Sequence, residues 1–402
     1  MNARVPFLGL ILLLGVAANA LAQESRAGVL RAAREEKARA LKPPKANALE
    51  RGLKSFEAGG VPLITRDGIY AKLGSLTTGS GFAYGAGYRT RRFLERDAGL
   101  DIWGGASLKG YWAAQGRVQV PLAPRGLVVM NAYGRRHEYT QEDYFGLGPD
   151  SPRSGQVDYA VRETTAGARV NVRVAPVVAV AGGVEYVWPS VGNGTDKALP
   201  SIGDVYDEQS APGLARQPDF LRTIGILDID YREPRNARKG GWYRVEFSHY
   251  DDQDLGAYTF NRLDVDLRQY VSFLSERRVL VGRAFISTSD TTSGQTMPFY
   301  LMPTLGGKDS LRGYRDYRFR GPHAILLQGE YRFEIWSGLD AALFYDAGKV
   351  EMQRRDLDFR NLESDYGIGF RFNTDNGVIM RVDAAFGSRD GKHLWIVFGG
   401  LF

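Results

Sequence analysis

The feature that most constrains the fold of this sequence is a regular alternation of apolar and polar residues from Ile69 to Phe402. A period of two places every second side chain on the same face of an extended strand. The chain has 49 glycines, 21 tyrosines, 20 phenylalanines and no cysteine. This composition favours strands and tight turns and excludes a disulfide framework. We therefore expect an all-β domain over residues 69–402.

About sixteen of the alternating segments qualify as strands. Their connections are long after the fifth, seventh, eleventh and thirteenth segments and short after the fourth, sixth, tenth, twelfth and fourteenth. Outer-membrane barrels alternate short periplasmic turns with longer external loops in this way. The predicted strands are residues 69–76, 81–90, 99–109, 111–122, 127–139, 159–175, 177–188, 219–231, 241–250, 258–273, 278–287, 325–336, 339–350, 366–372, 377–386 and 394–402.

The two faces of the predicted strands differ strongly in polarity. In the segment 325–336, Leu327 and Phe333 share one face, whereas Glu330 and Arg332 share the other. A soluble β-sandwich would bury its apolar face and expose its polar one, but the charge on one face and the apolar surface on the other fit water inside and lipid outside. We predict a transmembrane antiparallel β-barrel of about sixteen strands.

The first 22 residues have the features of a cleaved signal peptide. Arg4 provides a positive start, residues 7–16 form an apolar stretch, and Ala20 and Ala22 form a small-x-small cleavage site. The apolar stretch is shorter than the ~20 residues that a membrane-spanning helix requires. We expect cleavage after Ala22 and a mature chain that begins at Gln23.

Residues 23–68 form a segment of different character. They are rich in alanine, arginine, lysine, glutamate and leucine, which favours helix, and Pro43 and Pro44 divide the segment in two. Charged residues such as Arg34 and Glu35 could not face lipid. We expect a short helical periplasmic arm, outside the wall of a barrel that occupies residues 69–402, with a periplasmic partner as one candidate contact.

Charge and motifs exclude several classes of function. The formal net charge of +6 arises from 52 basic and 46 acidic residues that are interleaved along the chain, so no basic stripe indicates a nucleic-acid partner. The sequence contains no G-x-S-x-G elbow, P-loop or H-E-x-x-H motif, and its four histidines are scattered. We expect no enzymatic activity, no cofactor and no metal site. The acidic stretch 204–208 is better interpreted as a solvated external loop than as a cation site.

The most informative motif lies in the long segment after the eleventh predicted strand. There Leu311, Arg312, Gly313 and Tyr314 form the sequence LRGY. Together with later motifs, in this order, it resembles the BamA/TamA assembly-barrel superfamily, also called bacterial surface antigens. The other segments that carry the resemblance are GEYRF at 329–333, FYDAG at 344–348, the closing IVFGGLF at 396–402 and YFGLGPDS at 144–151.

The resemblance implies a place and a role. It implies location in the bacterial outer membrane and a noncovalent lateral seam through which the barrel acts in protein insertion, secretion or lipid handling. Outer-membrane lipids and an unfolded outer-membrane or secreted polypeptide are the partners it implies. The segment before Ile69 is too short for a POTRA domain, so substrate capture on such domains is not carried over. A passive channel or structural barrel stays open as the alternative.

The resemblance also implies functional residues. The closing strand would carry an insertion signal at Ile396, Phe398, Gly399 and Phe402. The LRGY loop would fold into the lumen. There we expect Arg312 to pair with Glu330 and Asp346, the inward acidic residues of the two strands that follow, since a guanidinium offers a rigid fork of donors for carboxylates.

Overall fold

The computed structural model describes residues 67–93, 97–233, 237–274, 277–374 and 377–398. The predicted signal peptide, nearly all of the predicted arm, and residues 399–402 of the closing strand lie outside these ranges, so those predictions are not tested by the structure. Within the described residues, no helix combines the length and the apolar character that a membrane span requires.

Sixteen antiparallel strands form one sheet, in which each strand pairs with its neighbours along the chain. Two further short strands, β12 and β13, pair with each other inside the loop that follows β11. The strands are β1 (Gly68–Gly74), β2 (Ala83–Thr90), β3 (Gly99–Ser107), β4 (Trp112–Pro121), β5 (Val128–Tyr144), β6 (Val157–Ala175), β7 (Val178–Asn193), β8 (Phe220–Asp230), β9 (Gly240–Asp252), β10 (Phe260–Phe273), β11 (Arg278–Thr291), β12 (Thr304–Leu305), β13 (Phe319–Arg320), β14 (His323–Trp336), β15 (Leu339–Glu351), β16 (Glu363–Thr374), β17 (Gly377–Ser388) and β18 (Gly391–Phe398).

The predicted fold class is confirmed: the structure is a nearly closed antiparallel barrel, and each of its sixteen wall strands overlaps a predicted strand. The largest differences are at the extracellular ends. β5 continues to Tyr144 and β7 to Asn193, beyond the predicted ends at residues 139 and 188. The inner face becomes apolar there because it contacts folded loops, as the fully buried Tyr144 and Tyr159 do. The polarity alternation that supports the prediction therefore stops before the strands do.

The wall separates an apolar exterior from a charged interior. On β10, Leu263, Leu267 and Val271 are exposed on the outer face, as residues in contact with lipid would be. On its inner face, Asp266 forms ion pairs with Arg268 and Arg283. This arrangement is that of a barrel whose outer face contacts lipid and whose inner face contacts water.

The external loops pack into an apolar cluster that fills the extracellular end of the lumen against β5 to β10. We call this cluster the outer cap. Arg320 is buried at its centre, where Nη1 donates to the carbonyl oxygen of Phe299 at 2.8 Å and Nη2 donates to the Tyr159 hydroxyl at 2.7 Å. The buried side chains of the outer cap are Tyr144, Val157, Tyr159, Val161, Val187, Ile202, Ala211, Phe220, Tyr250, Tyr258, Phe260, Met297, Phe299 and Met302.

The first and last wall strands, β1 and β18, meet at a seam. Every other pair of adjacent wall strands has a hydrogen-bonded register. The described part of β18 ends at Phe398, beside Gly74 at the end of β1, so the pairing of the rest of β1 lies outside the described residues. Where the described part of β18 ends, Phe398 contacts Phe82 edge to face, with ring centroids 5.7 Å apart. A cavity of about 210 Å³ beside this contact is lined by residues of both sides, among them Ser75 and Phe398.

Candidate functional site

The loop after β11 folds inward and packs on the inner face of β14 and β15. The pairing of β12 with β13 closes the base of the loop, and the LRGY turn lies between these two strands. Leu311 and Tyr314 are buried with Leu305 and Phe319 of the same loop and with residues of the wall. The apolar side chains of the motif therefore fix the turn inside the lumen, which leaves Arg312 surrounded by charged wall residues. The wall residues of this cluster are Ala324, Leu326 and Val350.

The structure places both predicted acidic residues against Arg312. The Arg312 Nε donates to Asp346 Oδ2 at 2.7 Å and Nη2 donates to Asp346 Oδ1 at 2.8 Å. Nη1 donates to Glu330 Oε2 at 3.2 Å and lies 3.6 Å from Asp383 Oδ2. The guanidinium also stacks on Phe344, with Cζ 3.5 Å from the ring centroid. The four charged side chains have no exposed surface.

Further arginines of the wall complete a network around these carboxylates. Arg371 lies 2.6 Å from both Glu330 and Asp383, and Arg332 lies 2.6 Å from Glu330. Arg381 lies 2.9 Å from Asp383. Glu330 and Asp383 are thus each shared by three guanidinium groups, and Asp346 accepts hydrogen bonds from Arg312 and from Gln328 Nε2. These contacts offset the large cost of removing the charges from water.

The backbone of the LRGY turn is tied to the last strands of the wall. The Trp395 Nε1 of β18 donates to the Arg312 carbonyl oxygen at 2.7 Å, and the Ser388 hydroxyl donates to the Gly313 carbonyl oxygen. Gly313 itself lies so close to Asp365 that a Cβ would overlap its side chain. Only glycine fits this position of the motif, because the turn and the wall are in direct contact.

A different contact ties the loop to the opposite side of the seam. The Tyr317 hydroxyl donates to the Thr78 carbonyl oxygen at 2.8 Å, in the connection between β1 and β2. The loop after β11 therefore reaches both sides of the seam: β18 through Trp395 and the β1–β2 connection through Tyr317.

Comparison with known proteins shows what the second half of the barrel is similar to. Residues 236–392 match the model of the Omp85 superfamily domain. This part of the barrel is an Omp85-type domain. The matched region contains the LRGY turn, Glu330, Asp346 and the arginines that surround them. The Omp85 match also supports the outer-membrane location predicted from the sequence.

Solved structures show the same fold. BamA from Haemophilus ducreyi, in a form lacking POTRA domains 1–3, aligns over 83% of this chain and 70% of its own with a TM-score of 0.61 and 12% identity. CdiB from Escherichia coli aligns over 83% of this chain with a TM-score of 0.54 and 13% identity, and the match spans 62% of CdiB. No curated protein has a significantly similar sequence.

The predicted insertion signal of the closing strand is only partly described. Ile396 of β18 is 64% exposed on the outer face, where lipid would contact it. Phe398 lies at the seam against Phe82. Gly399 and Phe402 lie outside the described residues, so the role of the closing strand stays a prediction.

Several residues of the Arg312 network were not predicted from the sequence. Arg371, Arg381 and Asp383 are central to the network, and Asp365 is buried opposite Asp346 in the β15–β16 register. The alternation of polar and apolar residues along the strands places all four side chains on inner faces, so the sequence does indicate that they face the lumen. The sequence alone could not tell which inward charges reach Arg312, because this depends on the register and on the fold of the loop.

The sequence predicts no metal site, and it interprets the acidic stretch 204–208 as an external loop. No group of three or more histidine, cysteine, aspartate or glutamate side chains suited to a metal ion occurs among them. In the acidic stretch, Glu208 accepts a hydrogen bond from the backbone nitrogen of Ala215 at 2.8 Å and one from the Tyr258 hydroxyl at 2.5 Å. Glu208 thus contributes to the folding of the external loops.

Proposed function

We propose that this barrel acts in the insertion or secretion of polypeptides at the outer membrane, through opening of the seam between β1 and β18. The observation that carries the proposal is the match of residues 236–392 to the Omp85 superfamily domain, in a barrel whose first and last strands meet at Gly74 and Phe398. Opening at this seam would leave strand edges unpaired. An unpaired strand edge is a template on which another strand adds by main-chain hydrogen bonds. The chemistry is noncovalent and needs neither a nucleophile nor a cofactor.

The loop after β11 gives the two sides of the seam different stability. On the β18 side, the buried ion pairs of Arg312 and the Trp395 hydrogen bond join the loop to the wall. On the β1 side, Tyr317 contributes hydroxyl contacts to the β1–β2 connection. Breaking a buried ion network costs several kcal/mol, whereas a single hydrogen bond contributes ~1 kcal/mol. We therefore infer that the β1 side moves while β14 to β18 stay fixed.

The outer cap argues against a passive channel. Its buried aromatic side chains and the buried Arg320 fill the extracellular end of the lumen against β5 to β10. An open pore would require these contacts to break. A route through the wall at the seam avoids that cost, and it leads a substrate into outer-membrane lipid, the partner on the apolar face of the barrel.

Two kinds of partner would contact the barrel in this role. An unfolded outer-membrane or secreted polypeptide would pair at the seam, and the predicted arm would contact a periplasmic partner before the barrel. Lipid handling at the same seam is the coarser form of the role, because an open wall also gives lipid access to the lumen.

A cross-link across the seam tests the proposal. The chain has no cysteine, so Ser75→Cys with Phe398→Cys introduces one pair of thiols, which line the same seam cavity. A short bifunctional thiol reagent would lock the seam. We would measure how fast proteoliposomes with this barrel accelerate folding of a urea-unfolded copy of the same chain, detected by heat-modifiable mobility on gels.

The matched control is Ala71→Cys with Ala86→Cys, which are partners within the β1–β2 ladder. Locking the seam should remove the acceleration, and a cleavable reagent should restore it on reduction. Locking the control pair should have no effect. Equal acceleration with a locked and an unlocked seam would refute the proposal.

A further inference from the structure

A second feature of the lumen lies away from the Arg312 network and the seam. It is a cavity of about 430 Å³ on the inner face of β4 to β8. Tyr250 of β9 and Leu301 of the loop after β11 lie on its extracellular side. Four arginines and two glutamates line it, together with neutral polar side chains. These lining residues are Gln115, Arg117, Asn131, Tyr133, Arg135, Glu163, Thr165, Arg169, Asn171, Glu185, Val187 and Arg222.

The positive charge of this cavity is incompletely neutralised. Glu185 accepts a hydrogen bond from Arg222 at 3.0 Å and another from the Tyr133 hydroxyl, and its contact with Arg169 is longer, at 3.7 Å. The two glutamates therefore do not satisfy all four guanidinium groups. Arg222 also forms an ion pair with Glu246 at 2.6 Å. Of the four arginines, it therefore has the fewest guanidinium N–H groups free to bind a ligand.

The other arginines retain free donors. Arg117 makes neither a hydrogen bond nor an ion pair with any described residue. Arg135 pairs with no carboxylate there, and its one hydrogen bond goes from Nη2 to the Tyr139 hydroxyl at 2.5 Å. The Nε atoms of Arg135 and Arg169 are buried without a hydrogen-bond partner. A buried donor without a partner costs free energy, and three arginines with free donors around one cavity are suited to an anion.

The register of the wall brings these groups onto adjacent strands. Arg117 lies opposite Tyr133 in the β4–β5 pair, and Arg169 lies opposite Asn131 in the β5–β6 pair. Arg135 follows Tyr133 by two residues and so shares its face. The three arginines thus surround Tyr133, and their side chains are long enough to reach one bound group.

We propose that this cavity binds an oxyanion carried by a small hydroxylated molecule, of which a sugar phosphate or a sugar acid is the chemical class. The arginines Arg117, Arg135 and Arg169 would hold the phosphate or carboxylate. The hydroxyls would meet the amide and hydroxyl side chains of Gln115, Asn131, Asn171 and Thr165. The volume lies within the range of small-molecule sites. The site is independent of seam opening.

Calorimetric titration tests the site with inorganic phosphate and glucose 6-phosphate as probes. The full chain would be held in phosphatidylcholine nanodiscs. We expect saturable binding, tighter for glucose 6-phosphate than for phosphate, and a loss of about tenfold in affinity for Arg117→Gln or Arg135→Gln. Arg117 is the safer variant, because it has no described partner whose loss would destabilise the fold.

Arg173→Gln is the matched control, since Arg173 lies four residues after Arg169 on the same face of β6 but does not line the cavity. It should change affinity by less than about twofold, because its charge is separated from the cavity by water and salt. No saturable binding to the folded wild type, or an equal loss in Arg173→Gln and Arg117→Gln, would overturn the proposal.

Nanodiscs that also contain phosphatidylglycerol distinguish two sources of the oxyanion. Unchanged affinity for glucose 6-phosphate supports a soluble ligand. If phosphatidylglycerol weakens the affinity of the wild type for glucose 6-phosphate but not that of Arg117→Gln, a lipid headgroup occupies the same site. If phosphatidylglycerol weakens the affinity for glucose 6-phosphate equally in wild type and Arg117→Gln, the cause is general repulsion by the lipid, and this result would count against the site.

Discussion

Arg312 and Asp346 form a bidentate ion pair in which Nε lies 2.7 Å from Oδ2 and Nη2 lies 2.8 Å from Oδ1, and neither side chain has exposed surface. The pair joins a loop of the extracellular side to the inner face of β15. It links the motif that is most informative in the sequence to β15, three strands before the seam strand β18. The consequences of breaking it can be measured.

We predict that Arg312→Ala releases the loop after β11. Removing one partner leaves buried carboxylates without compensation, at a cost of about 3–5 kcal/mol. Protease cleavage near residues 315–320 in intact cells should increase, and exchanging the charges of Arg312 and Asp346 should partly restore protection. Arg354→Ala is the control, because its ion pair with Asp290 is more than half exposed and contributes little. Unchanged protection in Arg312→Ala would contradict the assignment.

We predict opposite effects for two neighbouring carboxylates. Asp346 holds Arg312, whereas Asp365, its partner in the β15–β16 register, forms no ion pair with a described residue. Like charges directly opposite on paired strands are destabilising. Asp365→Asn should therefore leave the denaturation midpoint in detergent unchanged or raised, and Asp346→Asn should lower it clearly. A loss of equal size in both variants would show that Asp365 has a stabilising partner.

We predict a more modest effect for Trp395. Trp395→Phe keeps an aromatic ring in β18 but removes the hydrogen bond to the Arg312 carbonyl oxygen, at a cost of ~1 kcal/mol. Hydrogen exchange at residues 311–314 should accelerate while exchange in β10 and β11 is unchanged. If exchange at the turn is the same in both proteins, Trp395 does not hold it.

The pH dependence of the loop can be predicted from Asp316. Burial, and then the nearby Asp143, raise the pKa of Asp316 to about 7. Because the folded state favours the protonated form, ionisation of Asp316 destabilises the loop as the pH rises from ~4, the unfolded pKa, to about 7. Asp316→Asn should stabilise the protein relative to wild type above pH 7 and not below pH 4. A stability difference that does not vary with pH would contradict this.

The sequence predicts the wall and the partners of Arg312 because both depend on local alternation. Glu330 and Asp346 could be identified since each lies on an inward position of a strand with clear periodicity. The outer cap could not be predicted, because Tyr144 and Tyr159 are apolar side chains on an inner face. The pairing of β12 with β13 involves two residues in each strand, too few for a periodic signal. The participation of Arg371 and Asp383 depends on which inward charges the strand register and the folded loop bring to Arg312 and Glu330.

The central claim, that the seam between β1 and β18 opens, is tested most directly by the distance across it. Spin labels at Ser75 and Phe398, both beside the seam cavity, would report that distance by electron paramagnetic resonance in nanodiscs. Labels at the paired Ala71 and Ala86 provide the reference. We predict a second, longer distance for the seam pair, more populated when the urea-unfolded chain is added, and one fixed distance for the reference pair. A single distance across the seam, unchanged by the unfolded chain, would contradict the account.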